Sequence, residues 1–188
     1  MANSNAPFGL RPITSAGGTA PRVHEYKVTV GFNVFEGSLV IAVAGSGNNV
    51  IQIVPSPLNA TSAQIVGVAA QKRFTTDTDR AILVYDDPNQ EYEIQVDSGA
   101  SPIFDEDADC VFSHFPTINP AAGNTTTGLS SMELDGSGPV DAASDTAVLL
   151  CLRRSRDVSV DFTSVNPKVV VRITASRHLF GSSVTGAA

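Results

Sequence analysis

The chain contains no tryptophan, and aromatic residues make up only 6% of it. A module that reads sugars stacks them on a group of exposed rings, so this scarcity weighs against a glycan binder. Charge is also sparse, at 16%, and it leans acidic: 12 Lys and Arg against 19 Asp and Glu, a net charge of −7. Free nucleic-acid binders neutralise phosphates with a cationic footprint. The only dense basic cluster here is Arg153, Arg154 and Arg156, so no nucleic-acid partner is expected.

Cysteine is nearly absent. Cys110 and Cys151 form neither a disulfide framework nor a metal motif, and Cys151 sits in the apolar run 147–152, where it reads as a small hydrophobe. No apolar run approaches the ~18 residues of a membrane span. The start, "MANSNAPF", lacks the basic region and apolar stretch of a secretory signal. A membrane partner is therefore not expected, and synthesis in a reducing cytoplasm is. In that setting the sequons at Asn59 and Asn124 are chance matches. An amphipathic helical period is missing throughout.

What remains is β-patterned. In "EYKVTV", Tyr26, Val28 and Val30 share one face and Glu25, Lys27 and Thr29 the other, the period of two of a half-buried strand. "SLVIAVAG" is a continuous apolar run ended by a turn at "GSGNN", and "VIQIV" is a strand stopped by Pro55 and Pro57. Ile65, Val66 and Val68 favour a strand over residues 64–70. Residues 81–85 form an apolar run, "DDPN" is a turn, and Tyr92, Ile94 and Val96 alternate with polar residues, together predicting a hairpin. A loop-rich stretch, 113–140, holds a short strand at "SSMEL". Three closing strands follow at "TAVLLCLRR", "VSVDF" and "KVVVRITASRHLF", with "VNPK" as the last turn.

The fold class is all-β: a single β-sandwich or barrel-like domain over residues 23–180. Residues 1–22 precede it as an extended N-terminal arm, and residues 181–188 follow as a flexible tail. The arm carries Phe8, Leu10 and Ile13 among prolines and glycines. It is too apolar for an inert tail and too broken for a core element. It reads as a strap whose anchors on another subunit are Pro7, Phe8, Leu10, Arg11, Pro12 and Ile13, with Phe8 and Leu10 foremost. Pro7 and Pro12 limit its unbound freedom and hence the entropy lost on docking.

Chemical motifs are incomplete. His24, His114 and His178 are scattered, and no G-x-S-x-G elbow occurs, so no catalytic residue is assigned and no enzyme is expected. Asp105, Asp107 and Asp109 match the first positions of a calcium loop, but Cys110 stands where Gly is needed and Pro116 where Glu is needed. The cluster reads as a solvated acidic turn; no metal or other cofactor is assigned. "GSGNNV" lacks the third Gly of a dinucleotide fingerprint. The arginines 153, 154 and 156 are read as an electrostatic contact, or as ion-pair partners for Glu91, Glu93 or Asp97.

Four stretches in order, "APFGLRP", "VYDDPNQEYEIQVDSG", "TGLSSMELD" and "VVVRITASRHLF", resemble tailed-bacteriophage structural proteins of the capsid-cement, or head-decoration, type. The resemblance spans nearly the whole chain. It implies a non-enzymatic, β-rich virion protein on the outer capsid surface that ties neighbouring major capsid subunits together. Its partners would be the major capsid protein and itself, as a homotrimer ahead of a dimer. Residues 153–168 and 105–120 depart from the expected pattern. The rival reading is a β-sandwich virion module for a host glycan or receptor.

Overall fold

A computed structural model of the chain describes residues 3–15, 18, 20–43, 49–53, 65–97, 111–142, 144, 146–157 and 160–180. Its strands are β1 (Arg11–Ser15), β2 (Val23–Val28), β3 (Leu39–Ile41), β4 (Asn49–Ile53), β5 (Ile65–Ala69) and β6 (Ala81–Tyr85), then β7 (Gln90–Gln95), β8 (His114–Phe115), β9 (Thr117–Ile118), β10 (Glu133–Leu134), β11 (Leu149–Arg154) and β12 (Lys168–Ile173). The fold is all-β, with no helix among the described residues.

Two units share the chain. Strands β2-β4-β3-β5-β6 close into a small barrel, in which only β2 and β4 run parallel. Strands β1-β7-β12-β11-β8 form an antiparallel five-stranded sheet, and β9 pairs with β10. Barrel closure removes open edges that would otherwise seek partners.

Strands β3 and β5 hold the units together. Every residue of both is buried. Val40, Val66 and Ala69 join Val28, Ile82 and Val84 in the barrel's own core. Leu39, Ile41, Ile65 and Val68 point the other way, into a larger core with Tyr92, Ile94, Phe115, Leu149, Val169 and Val171 of the sheet. A strand buried on both faces reads as an unbroken apolar run, as "SLVIAVAG" does. A register shift between Val40 and Ile41 turns the bulged β5 so that Ile65 and Val68 face the same way. A Cβ on Gly67 would run into the Tyr85 carbonyl, so only glycine lets β5 and β6 approach this closely.

Several expectations from the sequence hold. β5 falls within 64–70, β3 and β4 pair antiparallel as a hairpin requires, and Cys151 is fully buried. Three need correction. First, β6 and β7 do not pair with each other: β6 belongs to the barrel and β7 to the sheet. The turn itself is present, with Gln90 N–H donating to Asp87 O and Asn89 N–H to Asp87 Oδ1 at 3.0 and 2.8 Å. Pro88 fixes a negative φ at the turn's second position, whereas the hairpin-favoured turns need a positive one there. The chain therefore splays from one sheet to the other. Second, β2 ends at Val28; Val30 lies in the following turn, 72% exposed. Third, Val160 and Phe162 are in irregular chain and turn, not a strand. Val158, Cys110, the acidic run 105–109 and the tail 181–188 lie outside the described residues.

Candidate functional site

The N-terminal segment is extended, but it does not stand clear of the domain. Asn3 is tied to the 161–165 loop: its side chain donates to the Asp161 and Val165 carbonyls at 2.7 and 2.9 Å and accepts from Asp161 N–H at 2.8 Å. Gln95 forms the second tether. Its Oε1 accepts from Ala6 N–H at 3.1 Å, and its Nε2 donates to Asn5 Oδ1 and Glu133 Oε1, each at 3.0 Å. Burial raises the Glu133 carboxyl above its ordinary range, the Gln95 hydrogen bond lowers it, and the charge of Asp97 raises it. From Arg11 the segment becomes β1, an end strand of the sheet, with Arg11 opposite Glu93 and Pro12 opposite Tyr92.

Leu10 is 1% exposed and belongs to the larger core; its N–H donates to Gly37 O at 2.9 Å. It is therefore an anchor into this chain's own core, not a side chain free to grip another subunit. The physical reason is that β1 docks beside β7, which points Leu10 into the space between sheet and barrel. Pro7, Phe8, Pro12 and Ile13 are half-buried and Arg11 is exposed. The Arg11 guanidinium lies over the Phe8 ring, 4.3 Å from its centre. A cleft of about 120 Å³ opens beside them, lined by Phe8, Leu10, Pro12, Tyr85 and Leu129.

The basic cluster is dispersed. Arg153 pairs with Glu91 at 2.7 Å, Arg154 lies over the Phe162 ring at 5.0 Å, and Arg156 points to solvent. Glu93 accepts from the Ser155 hydroxyl and faces Arg11 at 3.9 Å, while Asp97 accepts from Gly136 N–H.

No family model, no curated protein and no solved structure matches the chain.

Two features escaped the sequence reading. Asp86, 6% exposed, gathers His24 and Tyr26: His24 Nδ1 lies 2.8 and 2.7 Å from its two oxygens, and the Tyr26 hydroxyl donates to Oδ2 at 2.6 Å. Burial, then the hydrogen bond and charge of Asp86, raise the Tyr26 pKa. A carboxylate only accepts, so Nδ1 carries the proton and Nε2 is the basic nitrogen. Among the described residues nothing hydrogen-bonds to Nε2, and no group of three or more His, Cys, Asp or Glu gathers as a metal site. Among the described residues the cluster joins an orienting acid to a base without a nucleophile hydrogen-bonded to that base. His24 and Asp86 are 62 residues apart in the chain, so no local motif signals them.

The second feature is Phe112, 75% exposed at φ 64°. Phe112 N–H donates to Cys151 O, and Cys151 N–H donates to Ser113 O, at 2.8 and 2.9 Å. These bonds to β11 hold a bulky side chain outward in a backbone region it disfavours. Glycine or asparagine would be the ordinary residue for such a turn, which is the one sequence-level sign of it.

Proposed function

We propose that the chain is a structural virion protein that binds the outer surface of a tailed-phage head and cements neighbouring major capsid subunits. The observation carrying this reading is the spatial adjacency of the four stretches that resemble cement proteins. "APFGLRP" leads into β1, which pairs with β7 in the second stretch, and β7 pairs with β12 in the fourth. The third reaches the same place through Val96 opposite Leu134 and through Gln95 bonded to Glu133. Stretches far apart in sequence thus build one continuous block.

In this reading the contact surface is the exposed side of the N-terminal segment, Phe8, Arg11, Pro12 and Ile13, with the adjoining cleft, which Glu36 also lines, as a socket for a partner side chain. Phe112 is a second anchor, since rigidly presented aromatics carry a disproportionate share of binding energy. A protein that binds the assembled lattice and not its dissociated subunits stabilises the lattice by mass action. Two contact points on different subunits add avidity. A homotrimer at local threefold axes suits such a lattice.

Removing residues 1–12 is a poor test, because it also removes Leu10 from the core. The better test mixes purified protein with tailed-phage heads assembled from major capsid protein. Co-sedimentation and a raised temperature of head disruption are expected, and Phe8→Ala with Arg11→Ala should weaken binding at least about tenfold, roughly 1.4 kcal/mol. Absence of binding to heads, expanded or not, sinks the proposal.

A further inference from the structure

His178 is 3% exposed at the mouth of the barrel. Its Nδ1 accepts from Phe180 N–H at 3.1 Å. An accepting Nδ1 carries no proton, so the neutral ring holds its proton on Nε2, and that atom is buried with no hydrogen-bond partner among the described residues. Around it the turn 174–180 is closed by Arg177 N–H and His178 N–H, both donating to Thr174 O. The turn is docked on β5 through Ile65 N–H to Arg177 O and Leu179 N–H to Ile65 O, at 2.8 and 2.7 Å. Leu179 packs against the barrel core.

We propose that the turn 174–180 is an acid-sensitive latch: protonation of His178 at Nδ1 releases it, lifting Leu179 from the barrel mouth and freeing the main chain of Ile65. The added proton converts the acceptor of the Phe180 N–H into a donor, so that bond is lost, and it places a full charge in a buried site with no hydrogen-bonding counter-ion. The groups facing the imidazole are few. β5 contributes only apolar residues, and the end of β6 contributes Asp86 and Asp87. His24 and Tyr26 of β2 already occupy both Asp86 oxygens. On the turn itself, the Arg177 side chain is drawn to Ser144 O, to which it donates. The two carboxylates favour the charged ring, but burial outweighs them and the pKa lies below the ordinary histidine value. A depressed pKa means stability that is complete above the unfolded value, ~6.5, and lost as pH falls through the folded one.

Amide hydrogen exchange tests this at pH 7.5 and about pH 5, above the ordinary aspartate range near ~3.9. After correction for intrinsic rates, Leu179 and Phe180 should exchange at least about tenfold faster at the lower pH, while core amides of β12 stay protected. In His178→Asn, whose side-chain oxygen stands at the Nδ1 position to accept from Phe180 N–H and never charges, the acceleration should vanish. Equal protection of the wild type at both pH values overturns the proposal, as does equal acceleration in His178→Asn. Should that variant not fold, nitrogen NMR of the wild-type imidazole decides: a proton on Nδ1 at pH 7.5 refutes the latch.

Discussion

Gly9 and Gly37 face each other so closely that neither can carry a side chain. A Cβ on Gly9 would stand 2.6 Å from Gly37 O, and one on Gly37 would stand 2.8 Å from Phe8 O, with φ of 71° and 84° at the two positions. This contact lets the N-terminal segment lie against the 34–38 segment and delivers Leu10 into the core. Gly9→Ala and Gly37→Ala combine left-handed strain, about 1–2 kcal/mol, with a clash against backbone that cannot swing aside. Each should lower stability by about 3 kcal/mol or more in urea unfolding. A loss below about 1 kcal/mol would mean that the segment is not seated this way.

Leu10 and Phe8 separate the structural role of the segment from the recognition role proposed for it. Leu10→Ala leaves a cavity in the larger core and should cost about 3 kcal/mol. Phe8→Ala, at a half-buried ring under the Arg11 guanidinium, should cost about 1 kcal/mol or less. Thermal melts of both variants check this order.

Phe112 is held outward against its backbone preference. Phe112→Gly relieves the positive φ and removes no buried contact, so stability should stay within about 0.5 kcal/mol of the wild type or rise. If the chain binds heads as proposed, that binding should nonetheless fall. A large loss of stability instead would show that the ring serves the fold.

Glu133 predicts a pH dependence of the Asn5–Gln95–Glu133 network. Its folded pKa is raised, chiefly by burial. The stability linked to it is therefore complete below the unfolded value, about 4.3, and lost as pH rises through the folded one. Glu133→Gln keeps an oxygen for Gln95 and removes the charge. It should melt higher than the wild type at pH 7.5, and the difference should shrink near pH 4.

The Arg153–Glu91 pair is partly exposed, 37% and 14% by side chain. A double-mutant cycle should give a coupling of about 0.5–1 kcal/mol that falls on raising salt to about 1 M. A coupling insensitive to salt would place the pair in a drier setting than its exposure implies.

Sequence alone determined most of the longer strands, though not β1, and it offered one at "VSVDF", where Val160 and Phe162 form none. Period two and unbroken apolar runs are set by neighbouring residues, so β3, β5, β6, β7, β11 and β12 were legible, as was the Asp87 turn. The burial of Cys151 was legible for the same reason. Which strand pairs with which depends on contacts between distant segments. Only the tertiary structure separated β6 from β7, closed the barrel, and buried β3 and β5 on both faces. It also brought His24 to Asp86 and His178 to the barrel mouth. Leu10 shows the limit most plainly. Its apolar character demanded a cover, and the sequence pointed to a second subunit ahead of the chain's own core. The packing of β1 beside β7, with two glycines in contact, decided for the core.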